Sequence, residues 1–290
     1  MSVTTSAKND VSLEVRKYAR NGTNLPPPGD NRARTSSLHH MQRVLLVAPP
    51  VVVALVLFIS WYMSTTYAHI NGLILPAPGD VLDSLISGLS SGLLLSNALV
   101  TVQESVSGFL LALIVALPLG YGLAKSRLIA AAVQPYLAAG QAIPAIVIAP
   151  LLVLWLGNGL ITITILCMLI VLFPMVITIV LGVQTIDKTL TDAARVEGAS
   201  GWSLLASIEF PLALPAILAA VRTGLTLSIT GALVGEFVSA GDQGLGALVQ
   251  IATAQFNTPL LFATLVVLGL LAALYYGTTW LLVKLAAAIY

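Results

Sequence analysis

The sequence has 290 residues, of which 58% are apolar and 9% are charged, and its formal net charge is +1. Soluble domains carry about 25% charged residues, so a soluble fold of this length could not cover its surface. The apolar residues form long uninterrupted runs, which predict an integral membrane protein that spans by helices. The single cysteine, Cys167, lies in such a run and excludes a disulfide framework. A net charge this close to zero gives no information about nucleic-acid binding, and no nucleic-acid partner is expected.

The N-terminal segment differs from the rest of the chain. Residues 1–43 are polar and hold seven of the thirteen Lys and Arg residues, which predicts a disordered cytoplasmic tail. The first predicted span is 44–63. A linker follows in which a Pro-Gly-Asp sequence at 78–80 predicts the start of a short amphipathic helix at the membrane interface.

Five further apolar segments complete the predicted transmembrane domain, residues 44–290. With the N-terminus in the cytoplasm, six spans leave no Lys or Arg in the outer loops, as the positive-inside rule requires. The predicted fold class is therefore an all-α membrane protein with a cytoplasmic helix between spans four and five. The predicted spans after the first are about 98–124, 141–157, 160–184, 215–239 and 258–282.

The loop before the fifth span carries the most specific pattern. Its sequence, TDAARVEGASGWSLLASIEFPLALP at 191–215, has an acidic residue, two alanines and a glycine at fixed spacing before a proline. The simplest interpretation of this loop is a solvated connector between two spans. The spacing resembles the EAA loop of permease subunits of ATP-binding-cassette (ABC) importers, with an aspartate for the usual glutamate and Phe210 for leucine. The matching residues are Asp192, Ala193, Ala194, Gly198, Ile208 and Pro211.

Other segments extend this resemblance over nearly the whole chain after the first span. Four segments are similar to those of nitrate/sulfonate/taurine-type permeases: LPAPGDV, TVQESVSGF, AIPAIVIAPLLVLWLGNG and GALVGEFV. Glu104 departs from the arginine common in sulfonate and nitrate members. TVQESVSGF with GALVGEFV is more similar to importers of pyrimidine-type vitamin precursors.

The resemblance implies a multi-pass subunit of the bacterial inner membrane that forms the translocation pathway. It also implies that the subunit lies in the lipid bilayer and has three protein partners. These are a cytoplasmic cassette ATPase that docks on the loop helix, an extracytoplasmic substrate-binding protein, and a second permease subunit, identical or different. The chain has no GxxxxGK[ST] sequence. ATP hydrolysis is therefore expected in the partner, and no catalytic residue, cofactor or metal is expected here.

Polar groups within the spans are the remaining candidates for functional residues, because each must face protein or water. Candidates for the translocation pathway are Glu104, Gln141, Arg222 and Glu236, each with a structural role as the alternative. Gly231 and Gly235 form a GxxxG that predicts close helix packing, within the subunit or at a dimer contact. Two other functions stay open: a secondary transporter using Glu104, Arg222 and Glu236, and an intramembrane enzyme, for which no nucleophile–base set occurs.

Overall fold

The computed structural model describes Pro49 and residues 51–67, 70–239, 241 and 243–289, so the predicted tail lies outside the described residues. All regular secondary structure in these residues is helical. The helices are α1 (Val51–Thr66), α2 (Pro78–Ser90), α3 (Leu93–Lys125), α4 (Arg127–Ala142), α5 (Ala145–Leu156), α6 (Leu160–Gln184), α7 (Lys188–Val196), α8 (Gly201–Val238), α9 (Leu245–Ala254) and α10 (Thr258–Ile289).

The chain divides into two units, residues 1–61 and 62–290. α1 begins in the first unit and ends in the second. Its apolar side chains are largely exposed, and Phe58 packs edge-on against Trp61 with ring centroids 6.2 Å apart. Residues 44–48 and 50 of the first predicted span lie outside the described residues.

The core of the larger unit is formed by α3, α6 and α8, which bury apolar and small side chains against one another. Cys167 of α6 is fully buried between Gly108 of α3 and Gly231 of α8. A Cβ atom at Gly231 would lie 2.8 Å from the Cys167 Cα, and one at Gly235 would lie 2.7 Å from the Ile163 side chain. The GxxxG therefore packs against α6 of the same chain and is buried there.

Within the residues that the structure describes, four helices are long and apolar enough to cross a membrane: α3, α6, α8 and α10. The pair α4–α5 becomes a fifth crossing if it is one broken span. The prediction of several apolar membrane helices is confirmed, whereas the count of six and the cytoplasmic N-terminus stay predictions.

The third predicted span, 141–157, differs from the structure. α5 begins at Ala145, and the preceding residues form α4, bent by 98° from α5. The break has a local cause: Pro144 offers no backbone N–H and disfavours helical geometry at the residue before it. Ile143 accordingly adopts extended angles, with φ −84° and ψ 118°.

The fifth predicted span, 215–239, also begins earlier than expected, because helical structure runs from Gly201 through both prolines. Pro211 cannot donate a hydrogen bond to a carbonyl in the preceding turn. The helix adapts by a π turn over Leu205–Glu209, in which the Phe210 N–H bonds to the Leu205 carbonyl five residues back. Such single π turns occur often at functional sites.

Candidate functional sites

The loop between α6 and α8 is an ordered helix with defined caps. The Asp187 side chain accepts a hydrogen bond from the Thr189 N–H at 2.9 Å. Hydrogen bonding by the Thr189 side chain, and then by its N–H, lowers the pKa of the Asp187 carboxyl. At the other end Gly198 has φ +96°, and the Ala199 N–H bonds to the Ala194 carbonyl at 2.9 Å. This is a Schellman ending, for which glycine is the favoured residue, and it turns the chain directly towards α8.

α7 has an inner face and an outer face. Thr191 and Ala194 are buried, whereas Asp192, Ala193 and Val196 are exposed. Asp192 pairs with Arg195 at 3.1 Å on the surface, a contact of little energetic weight. The structure thus holds one side of α7 against the bundle and leaves the other free.

The predicted coupling residues are therefore divided by the structure. Asp192, Ala193 and Gly198 lie on the outer surface. Ala194 faces the bundle. The other two, Ile208 and Pro211, are half-buried in the first part of α8, which follows the loop.

Glu209 connects the first part of α8 to α3, a contact that the sequence did not predict. Its carboxylate is 2.6 Å from the Lys125 Nζ and accepts a hydrogen bond from the Tyr121 hydroxyl at 2.7 Å. The Glu209 side chain is only 2% exposed. The available signals were an acidic residue within the loop pattern and a basic residue just after the predicted span 98–124. Sequence spacing alone does not pair residues 84 positions apart.

Apolar side chains are exposed around α7. Val196 is 89% exposed and Trp202 is 78% exposed. Trp202 also borders a cavity of about 450 Å³ between α3, α6 and α8, whose lining includes Pro118, Val183 and Phe210. An exposed apolar surface rimmed by charges is typical of a protein-interaction site.

A second polar cluster lies where α9 meets α3 and α8. Glu236 accepts hydrogen bonds from the Thr101 hydroxyl at 2.6 Å and from the Gly246 N–H. Thr101 accepts from the Leu245 N–H at 2.8 Å, and the Asn97 side-chain oxygen accepts from the Gly244 N–H at 2.8 Å. These bonds satisfy backbone donors at the start of α9, which otherwise lack partners.

Glu104 completes this cluster. It is 5% exposed and lies beside Glu236, and its Oε2 atom accepts no hydrogen bond from the described residues. Glu104 also lines a cavity of about 510 Å³. The polar residues around this cavity are Gln103, Glu104, Asn158, Ser239 and Gln243.

The other two pathway candidates lie elsewhere. The Arg222 guanidinium stacks over the Tyr276 ring at 4.2 Å from the centroid, a favourable cation–π contact. Gln141 is exposed at the end of α4 and lines a separate cavity of about 350 Å³ at the α4–α5 bend. The structure thus brings Glu104 and Glu236 together, whereas Arg222 and Gln141 occupy other places.

No three His, Cys, Asp or Glu side chains within the described ranges are arranged to hold a metal ion.

Comparison with known proteins identifies the family. The profile described as "Binding-protein-dependent transport system inner membrane component" matches residues 108–289. This chain belongs to that family. The riboflavin transport system permease protein RibX of Chloroflexus aurantiacus is 42% identical over 252 residues, covering 87% of this chain and 93% of RibX.

Two further relatives are similar over most of their length. A probable ABC transporter permease of Haemophilus influenzae is 34% identical, over 83% of this chain and 97% of the relative. The formylaminopyrimidine transport permease protein ThiX of Halalkalibacterium halodurans is 28% identical, over 82% of this chain and 94% of ThiX.

Family membership establishes what kind of protein this is. The chain is a permease subunit of an ABC importer and a multi-pass protein of a bacterial inner membrane. Importers of this family generally work with an ATPase and a substrate-binding protein. The findings support this function and not the secondary transporter.

Proposed function

We propose that this subunit couples to a separate cassette ATPase through α7 and the turn at Gly198. The observation that carries the proposal is the two-sided arrangement of α7, with Thr191 and Ala194 buried and Asp192, Ala193 and Val196 exposed. An ATPase seated on the outer face would displace α7 and its supports together. The chain itself hydrolyses no ATP under this proposal.

The path of force follows the contacts of the loop. α7 connects directly to α6 through Asp187 and to α8 through Gly198. Glu209 of α8 is fastened to Lys125 at the end of α3. Movement of α7 therefore reaches three membrane helices through covalent or charged connections, and these three helices form the core.

The translocated solute is a riboflavin-type or pyrimidine-type vitamin or vitamin precursor. The relatives RibX and ThiX, named for riboflavin and formylaminopyrimidine transport, support this assignment. The carboxyl groups of Glu104 and Glu236 line the outer part of the pathway, with Gln141 and Arg222 as further candidates. An extracytoplasmic binding protein delivers the solute, and a second permease subunit completes the pathway.

Site-specific photo-crosslinking in native membranes tests the docking surface. A photoreactive amino acid at Val196 should trap a cassette ATPase, since this side chain is 89% exposed on the outer face of α7. The same probe at Asp83 on α2 should trap a soluble binding protein. The matched control is Ile161, which is 69% exposed at the far end of α6 and should trap no ATPase.

If the Val196 probe traps no ATPase in cells that import the solute, α7 is a connector and the proposed coupling surface is wrong. Trapping from Val196 and Ile161 alike would contradict the proposal equally, because the capture would then not report the α7 surface.

A further inference from the structure

The cavity beside Glu104 combines a buried acidic floor with an exposed amide rim. Glu104 and Ser239 are buried, whereas Gln103, Asn158 and Gln243 are exposed. One carboxyl oxygen of Glu104 is buried and accepts no hydrogen bond from the described residues. Buried polar atoms nearly always have a partner, so this oxygen indicates a group that enters the cavity from outside the chain.

The position of the rim argues that water or protein covers it. Gln103 lies about 15 Å along α3 from its first residue, well within the span. An exposed amide at such a depth is costly against lipid tails, which offer no hydrogen bond. Gln103 therefore faces an aqueous pathway or another subunit, and its place beside an open cavity favours the pathway.

The charges around the cavity have one sign. Glu236 accepts hydrogen bonds at both carboxyl oxygens, from Thr101 and from Gly246, which is the pattern of an ionised carboxylate. None of the described residues that line the cavity is Lys or Arg. Arg222 is fourteen residues before Glu236 on the same helix, a separation of about 21 Å.

We infer that this cavity is a solute-contact site selective for neutral or cationic solutes rich in N–H or O–H donors, and that it rejects oxyanions such as sulfonates and nitrate. The inference rests on the proposed function for its solute and adds the chemistry of that solute. Glu104 accepts a hydrogen bond from a solute donor. The amides of Gln103, Asn158 and Gln243 supply both donors and acceptors around the rim.

The electrostatic part is tested by thiol labelling of the full chain in membrane vesicles. Asn158→Cys is labelled with a cationic and an anionic methanethiosulfonate, each rate being divided by its rate with a free thiol. The native Cys167 is fully buried, so it should add little background. We expect the cationic reagent to react about tenfold faster than the anionic one, because a carboxylate nearby attracts one and repels the other.

Two variants show whether the named carboxyl cluster is the cause. In Asn158→Cys with Glu236→Gln the ratio should fall several-fold, because Glu236 is the carboxyl with the pattern of an ionised group. Gln103→Arg, which alters an exposed residue, should reverse it. Ser96→Cys is the matched control, since Ser96 is exposed nearer the start of α3 and does not line the cavity. Its ratio should stay close to that of the free thiol.

Equal rates for both reagents, or no reaction with either, would overturn the selectivity inference. The solute contact is tested separately by uptake of radiolabelled riboflavin through the assembled transporter. Cationic labelling at Asn158→Cys should block uptake, and labelling at Ser96→Cys should leave it intact. Labelling requires neither ATP nor ATPase, so the cavity inference can fail while importer function stands. Conversely, selective labelling without ATP-driven uptake would support the cavity inference and contradict the proposed function.

Discussion

Removal of the Lys125 ammonium should destabilise the fold and weaken coupling, because Glu209 would be left as an unpaired carboxylate. Its side chain is 2% exposed, and the Lys125 Nζ lies 2.6 Å from its Oε1. Breaking a buried ion pair costs about 3–5 kcal/mol. Lys125 is 35% exposed, so water compensates in part, and Tyr121 still donates one hydrogen bond. We expect Lys125→Met to lower the free energy of unfolding by about 2–3 kcal/mol.

The double variant separates a lost ion pair from a general loss of packing. Lys125→Met with Glu209→Gln removes the unpaired charge, and the glutamine oxygen can still accept from Tyr121. The double variant should therefore lose only about 1 kcal/mol relative to the native chain, which makes it more stable than the single variant. Lys125→Arg, which keeps the charge, serves as the conservative control.

Stability is measured on the purified chain by equilibrium unfolding in mixed micelles with increasing sodium dodecyl sulfate. Coupling is measured as solute transported per ATP hydrolysed by the assembled transporter. The single variant should transport less per ATP, and Lys125→Arg should retain near-native values. Additive losses in the double variant would refute the argument, because two independent sites add whereas an interacting pair does not.

Three further changes test the geometry. Gly198→Ala should lower the free energy of unfolding by about 1–2 kcal/mol through its left-handed φ alone, since no atom lies near the added Cβ. The control Gly79→Ala, also in open space but without a positive φ, should leave the free energy of unfolding unchanged in the same assay. Gly231→Ala should lower the free energy of unfolding by about 1–3 kcal/mol by overpacking against Cys167. Gly269→Ala, with open space on α10, should leave it unchanged, and equal effects of the two changes would contradict the close packing of α8 on α6. Glu236→Ala should cost about 1–3 kcal/mol by leaving the Gly246 N–H without its acceptor, since the Thr101 hydroxyl still has the Asn97 carbonyl at 3.2 Å. It should speed amide exchange at the start of α9, whereas unchanged exchange would show that Glu236 does not hold this end of the helix.

The long membrane helices were predictable from sequence because their apolar runs exceed the thickness of the bilayer. The predicted segments 98–124, 160–184 and 258–282 lie within α3, α6 and α10. The boundaries were less predictable, since polar residues at the ends continue the helix without extending the apolar run.

The α4–α5 bend was missed for a different reason. Its residues continue the apolar composition of the neighbouring helices, so hydropathy alone shows a span and not two helices at 98°. A proline such as Pro144 marks a place where a helix can break, but the direction of the chain after the break depends on packing against α6. Proline indicates where a helix bends more reliably than by how much.

The candidate sites were predictable by residue type and not by arrangement. Charged residues within spans indicated Glu104 and Glu236, because charge is costly in the bilayer. The hydrogen bond between Glu236 and Thr101, which is 135 residues earlier in the chain, is a product of tertiary packing. Glu209 lay within the recognised loop pattern, yet its partner Lys125 belongs to another helix, so sequence spacing gave no indication of the pair.

The most direct test of the central claim is solute uptake into proteoliposomes that contain this chain with its ATPase and binding protein. The account predicts uptake that requires ATP and all three proteins, and that falls in Gly198→Arg, where a bulky side chain at φ +96° alters the docking surface. Uptake by this chain alone, driven by an ion gradient and unchanged in Gly198→Arg, would contradict it.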